Sequence, residues 1–316
     1  MVHAVVCDPD GGVVARCGNV DRATVMRSAA KPFQALPLVL DGAMERFEVS
    51  EQELALACAS HNSERRQVDL IAAWLERIGC TVDDLACGPH TPLFKEMAVA
   101  LPGDPPDPSP LLPSSPLTSN CSGKHTGMLS LAKHHGWDIG GYNREDHPVQ
   151  RRCAEELGRL AHVAPDAIGR AVDGCRAVTW VLPLRAMARA FATIGATDEP
   201  AAKIVVRAMT THPDLVAGKG RLCTAVMAAY PGRVLAKVGA EGVYGAALID
   251  RGLGVGIKVE DGNSWAAAVA LVSILQQLDL DPPPSSVLSL FAERPTLNTR
   301  GEPVGVMRAV GRLEFV

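Results

Sequence analysis

Aromatic residues are scarce in this chain of 316 residues: six Phe, three Tyr and four Trp, 4% in all. A surface that stacks nucleobases needs such rings. The basic residues form no runs and the formal net charge is -4, which argues against a nucleic-acid partner or a membrane surface. No apolar stretch is long enough to span a bilayer, because the longest are broken by charge or proline. No secretory signal is visible. The opening Met1-Val2-His3-Ala4-Val5-Val6-Cys7-Asp8 reads as a first strand, not as a charged segment followed by a long apolar one. Nine cysteines is an odd count, at spacings that suggest no disulfide framework. Together these absences point to a cytoplasmic location and free thiols, most of them small core residues.

What is present is enough chain for one large or two ordinary domains, with a core of alanine, leucine and valine. Residues 2–7 and 13–17 flank Asp8-Pro9-Asp10-Gly11-Gly12 and predict a β-hairpin. A helix should begin near Ser28 and run to about Leu40, with a kink or break at Pro37. Ser50 and Glu53 have the spacing of a capping box for a helix through Ala57. Ser63 is placed to cap the next helix, over about 64–79. Residues 102–118 are rich in proline and read as an ordered surface loop. Further helices are expected over 125–135, 149–161, 183–192, 199–211 and 264–278. Segments 233–238, 243–250 and 254–259, separated by glycine, read as an antiparallel meander. Strands at both chain ends with helices between them give an α+β expectation: one antiparallel sheet built from both ends, interrupted by a helical insertion. The expected division is 1–60 with 205–316 as the sheet domain and 61–204 as the helical domain, the site lying at their junction. No internal repeat is evident.

Five stretches carry candidate chemistry. In Arg27-Ser28-Ala29-Ala30-Lys31-Pro32 a serine and a lysine stand three residues apart, neighbours on one helix face. A lysine can take the serine proton only when neutral. The same pattern also describes a helix cap followed by a surface lysine. Ser60, in Cys58-Ala59-Ser60-His61-Asn62-Ser63, is either a site serine or part of a polar turn. Lys237 lies inside an apolar strand with Gly239 two residues on, a costly place for an unpaired charge; snorkelling to water is the bland account. Ser119-Asn120-Cys121-Ser122-Gly123-Lys124-His125 sits at a helix start, where N–H groups and the helix dipole favour an anion. It is not a phosphate-binding P-loop. Asp173-Gly174-Cys175 supplies a second cysteine that could join Cys121 at a metal, although the spacing matches no finger or ribbon.

Taken in order, these motifs, with His212-Pro213, Val216-Ala217-Gly218 and Lys237-Val238-Gly239-Ala240, resemble the rhizobial-type, or class 3, L-asparaginases of the asparaginase II family. The motifs run from residue 27 to about 262. The resemblance implies a fold similar to serine β-lactamases and serine-dependent glutaminases. It implies two serine–lysine pairs, Ser28 with Lys31 and Ser60 with Lys237. It also implies a zinc-type site of Cys121, Lys124 and Cys175, with Arg27, His61, Asn120, Lys124 and Asp173 near the substrate, and a homodimer. The chain departs from the family pattern at Asn62, where members can carry a serine, and at Lys219, where they can carry an acidic residue. The expected reaction is hydrolysis of L-asparagine to L-aspartate and ammonia. Its alternatives are a glutaminase or β-lactam hydrolase on the same fold, a pseudoenzyme that senses an amino acid, and a purely structural zinc protein.

Overall fold

The structure, a computed structural model, describes residues 1–90, 98–101, 112–284 and 286–316. Most of the proline-rich loop expected over 102–118, residues 102–111, lies outside the described residues. Strands β1 (Val2–Cys7) and β2 (Val13–Cys17) form the expected hairpin. In its turn Gly12 N–H donates to Asp8 Oδ1 at 2.8 Å, and Gly11 takes the left-handed conformation at φ +90° that glycine adopts without strain. The expected meander appears as β6 (Val234–Gly239), β7 (Val243–Leu248) and β8 (Leu253–Val259), where strands β3 (Ala23–Val25), β4 (Gly169–Val172) and β5 (Val178–Pro183) come earlier in the chain. Strands β9 (Glu293–Leu297), β10 (Pro303–Arg308) and β11 (Glu314–Phe315) complete the set.

The large sheet has the order β11-β2-β1-β8-β7-β6, with every pairing antiparallel. Both chain ends therefore meet in one sheet, as the α+β expectation holds. β1 pairs with β8 in a register that sets Val2 opposite Val259. β6 is an edge strand, and Lys237 on it lies opposite Gly245 of β7.

The helices used below are α1 (Lys31–Leu40), α2 (Glu51–Ala57), α3 (Arg65–Arg77), α4 (Ser122–His135), α5 (Pro148–Ala161), α6 (Leu184–Ala196), α7 (Pro200–Thr211), α8 (Leu222–Ala229) and α9 (Ser264–Gln277). α6 falls within the stretch assigned from sequence to the helical part, yet it packs on β1, β7 and β8 of the large sheet. Glycines make that approach close: a Cβ on Gly254 would lie 2.0 Å from Ala188 O, and one on Gly245 would lie 2.0 Å from the Phe191 ring. α1 is enclosed by α4, α5 and α7, and residues 31–39 are all buried.

Three local expectations change. α1 runs through Pro37 without a break, because burial on all sides outweighs the one backbone bond that proline removes. Ser63 does not cap α3. It sits in the left-handed region at φ 64° and donates to Thr118 O at 2.7 Å, while Glu64 and Gln67 form the capping box instead. The Ser50–Glu53 capping box is present as expected. The third change is a second sheet, β3-β5-β4, which the sequence reading lacked. It ties the segment ahead of Ser28 to the segment after Cys175, and Met26 N–H donates to Trp180 O at 2.9 Å.

Candidate active site

The Ser28 stretch begins with backbone strain. Arg27 takes φ 51°, an uncommon conformation for a residue with a side chain, and a single tight turn over Arg27–Ala30 leads into α1. Two carboxylates hold the Arg27 side chain: Nε donates to Asp173 Oδ1 at 2.7 Å and Nη1 to Glu241 Oε1 at 2.7 Å. Ser28 is half-buried and the Lys31 side chain is fully buried. Lys31 Nζ donates to Ala59 O, to Ser60 Oγ at 3.1 Å and to Asn120 O at 3.3 Å. None of these bonds reaches the Ser28 hydroxyl, so the expected Ser28–Lys31 pair is not a hydrogen-bonded pair here. The lysine turns toward the second serine instead, where three acceptors satisfy its buried amine.

Ser60 follows the end of α2 and is 2% exposed. Its N–H donates to Val216 O at 2.9 Å, which fixes the turn that carries it. Lys237 Nζ, also fully buried, donates to Ser60 Oγ at 2.8 Å and to Val238 O at 3.0 Å. The Ser60 hydroxyl thus lies between two lysines. Burial, and next the charge of Lys31, bring the Lys237 amine down to about 7. The cluster therefore contains an amine close to neutral at ordinary pH.

Arg221 joins this cluster and was missed from sequence. It is 2% exposed, and Nη1 donates to Asn62 Oδ1 at 2.9 Å and to Ser60 O at 3.4 Å. Asn62, one of the departures from the family pattern, thus anchors a buried guanidinium. His61 is fully buried, and burial with the charge of Lys31 brings it down to about 3. Its Nδ1 accepts from Ser63 N–H at 3.1 Å and its Nε2 lies 2.9 Å from Ser122 Oγ. Both ring nitrogens are used within the fold. His61 therefore orders the loop between Ser60 and α4 and presents no free nitrogen to a ligand, contrary to the expected substrate contact.

The Asn120–Lys124 stretch opens α4, and the Asp173–Cys175 turn faces it. Lys124, 3% exposed, donates to Cys175 Sγ at 3.1 Å. A hydrogen bond from Cys121, with help from Lys124, lowers Cys175 to about 5 despite burial. Cys121 is raised to about 12 by the same bond and by burial. Its one proton serves either Cys175 or Asn120 Oδ1, which lies 3.2 Å from Cys121 Sγ. Burial works against the Lys124 charge, but Cys175, Cys121 and Asp173 together hold its amine well above the ordinary range. Asp173 is buried too, yet Lys124 and Arg27 keep its carboxyl below the usual value.

Two sulfurs and one amine nitrogen thus converge. Among the described residues no group of three or more His, Cys, Asp or Glu is arranged to hold a metal ion. A zinc ion here needs Lys124 as its third donor, with the lysine proton lost. Thiolate and amine donors suit zinc chemically, and the convergent donor set fits that ion.

A cleft of about 850 Å³ lies elsewhere, lined by the end of α6, by α7 and by Gly232 and Gly252. It contains none of the residues above. The buried lysines and perturbed groups mark the site better than the size of the opening does.

A family model described as L-asparaginase II matches residues 1–309, nearly the whole chain, and the chain belongs to that family. No curated protein sequence gives a significant match. Among solved structures, one described as a β-lactamase from Mycobacterium bovis aligns at 14% identity over 87% of this chain and 93% of that chain. Its TM-score is 0.41, a likeness too loose to carry an argument.

Proposed function

We propose, from membership of the L-asparaginase II family, that this asparaginase-type amidohydrolase cleaves the side-chain amide of L-asparagine to give L-aspartate and ammonia. The observation that carries the mechanism is the buried Lys31–Ser60–Lys237 chain, with 3.1 and 2.8 Å links and one amine near neutrality. Such a chain moves a proton between two amines through a hydroxyl. Lys31 passes a proton to Ser60 as Ser60 passes its own to Lys237. The Lys31 amine, now neutral and released from donating to Ser60 Oγ, swings to Ser28 at the start of its own helix and takes the hydroxyl proton while Ser28 Oγ bonds to the amide carbon. Backbone N–H groups at the open first turn near Ser28 stabilise the oxyanion. Lys31 then returns the proton to the leaving nitrogen, the C–N bond breaks and ammonia departs. Water then bonds to the acyl carbon and gives a proton to the same amine, which hands it to Ser28 Oγ as the C–O bond breaks; the new carboxyl loses its remaining proton to the released ammonia, and Lys237 returns its proton through Ser60 to Lys31. The half-buried Ser28 suits the attacking role and the enclosed Ser60 suits the relay.

Cys121, Lys124 and Cys175 would hold zinc, which when bound supplies a Lewis acid for orienting the α-amino and α-carboxylate groups of the substrate. Asp173 and Arg27 border that place. A second reading makes Ser60 the nucleophile and Lys237 its base, favoured by their 2.8 Å contact. Free thiols throughout support a cytoplasmic location. Exposed Leu297, Val304 and Val306 on the β9–β10 ribbon support a homodimer. The sheet part is then 1–60 and 205–316 with α6 packed on it, the rest of 61–204 forms the helical part, and the site lies between them.

The test is ammonia release from asparagine and glutamine, and the colour change on ring opening of a chromogenic β-lactam, by wild type, Ser28→Ala and Ser60→Ala, with mass spectrometry of the trapped acyl-enzyme. Asparagine should be turned over fastest, and Ser28→Ala should lose roughly a thousandfold in kcat. Full turnover by Ser28→Ala would sink the Ser28 mechanism. An adduct on the Ser60 peptide selects the second reading.

A further inference from the structure

The open edge of β6 carries polar groups that the reaction scheme leaves unused. Val238, next to Lys237, has its N–H 3.3 Å from Cys223 Sγ, and its carbonyl accepts from Lys237 Nζ at 3.0 Å. Among the described residues no strand lies beyond β6 to take these groups. Cys223 stands on α8 and is 1% exposed. Its sulfur lies 3.0 Å from Tyr244 Oη. Tyr244 is 2% exposed and sits on β7 directly opposite Val238. A polar path therefore runs from Tyr244 through Cys223 and the backbone of Val238 to Lys237 and Ser60.

We propose that Cys223 and Tyr244 form a positioning unit that sets the Lys237 amine on Ser60. The inference rests on the Lys31–Ser60–Lys237 reading of the site. Val238 is the lever. Its N–H and its carbonyl belong to the two peptide units that flank its Cα; the thiol holds the N–H, the carbonyl holds the amine, and the tyrosine fixes the sulfur. Burial keeps the Tyr244 phenol protonated, so it stays a hydrogen-bonding partner across the working pH range. Without the sulfur the Val238 N–H is left buried and unmatched, and the strand shifts at Val238 to find another acceptor. The adjoining peptide unit moves with that Cα, and its carbonyl draws the Lys237 amine off the serine. Neither Cys223 nor Tyr244 touches the reacting atoms.

The ionisable groups facing Lys237 are Lys31 from α1, Cys58 from the end of α2, Cys121 ahead of α4, and Arg221 and Cys223 at the start of α8. Cys223 favours the protonated amine, whereas Lys31 and Arg221 oppose it. Removing the thiol should therefore lower the pH at which Lys237 gives up its proton.

The experiment compares full-length wild type with Cys223→Ala, Cys223→Ser, Tyr244→Phe and Lys237→Ala, reading kcat, KM, the pH profile of kcat/KM and the melting curve. Cys223→Ala and Tyr244→Phe should lower kcat by roughly 10- to 100-fold, with KM held within about twofold. In Cys223→Ala the acidic limb should move to lower pH. Cys223→Ser, whose hydroxyl can serve the same two partners, should recover most of the rate. A folded Cys223→Ala or Tyr244→Phe with wild-type kcat and limb overturns the proposal. So does Cys223→Ser that is as slow as Cys223→Ala. If Cys223→Ala fails to fold, Cys223→Ser and Tyr244→Phe decide by the same criteria. Lys237→Ala separates the two levels. Wild-type turnover there defeats the reading of the site and this inference with it. An inactive Lys237→Ala beside unchanged Cys223 and Tyr244 variants defeats the inference alone.

Discussion

Replacing Lys237 by methionine should abolish turnover and make the protein more stable. The fold holds this lysine fully buried, and its amine falls from 10.5 to about 7. At about 1.4 kcal/mol per pH unit, that gap corresponds to a penalty on the order of 5 kcal/mol. Below about pH 7 both folded and unfolded chains hold the proton, and the penalty is fully present. Between about 7 and 10.5 the unfolded chain holds a proton that the folded chain lacks, so stability rises with pH. Above about 10.5 both states are neutral and the penalty is gone. Methionine fills much of the same volume without a charge. Ser60 Oγ keeps Lys31 at 3.1 Å when it loses Lys237. Allowing for the lost hydrogen bonds, Lys237→Met should gain about 2–4 kcal/mol at neutral pH. Urea unfolding of wild type and variant at about pH 7 and about pH 10 reads this directly. The advantage of the variant should vanish at the higher pH and pass to wild type by roughly the worth of the lost hydrogen bonds, because other titrating groups are common to both. A variant less stable than wild type at neutral pH, or a difference that stays constant with pH, would refute the reasoning.

Three further outcomes follow from other parts of the molecule. Zinc added to metal-stripped protein should raise the melting temperature, and Cys175→Ser should remove most of that rise; equal shifts in both proteins would exclude the Cys121–Lys124–Cys175 set as the binding site. Gly245→Ala should destabilise by about 1–3 kcal/mol in denaturant titration, because its methyl would meet the Phe191 ring at 2.0 Å and push α6 off the sheet. Ser50→Ala should cost about 1 kcal/mol in the same assay by opening the capping box at α2, with asparagine turnover unchanged.

Much of this molecule was legible because its signals are local. Alternation and a glycine turn gave the β1–β2 hairpin, and glycine-bounded apolar runs gave β6, β7 and β8. The motif residues likewise mark real meeting points, since Ser60, Lys31, Lys237, Cys121, Lys124 and Cys175 converge in space. What escaped depends on distance in sequence. Spacing alone places Lys31 beside Ser28, but the side chain follows Ala59 O, Ser60 and Asn120 O, all supplied by other segments. β4 was invisible because Gly169–Val172 is mostly exposed and lacks an apolar period. β5 runs directly into α6, with only its own last residue, Pro183, at the join. Arg221 and Cys223 carried no motif at all. A buried arginine and a thiol beside a strand lysine are recognised only when the strand's open edge is seen.

The pairing of β1 with β8 also bears on how the chain is made. Five of the six residues of β1 are buried, and β2 covers one of its edges as soon as the hairpin closes. Its other edge belongs to Leu253–Val259. On a ribosome adding about 5–20 residues per second, that partner arrives roughly ten to fifty seconds later. For that interval an apolar strand waits with an unpaired rim, able to zip onto a neighbouring nascent chain. Slower elongation would lengthen this exposure, so yield in a host cell should depend on translation speed and on chaperones that shield the first seventeen residues.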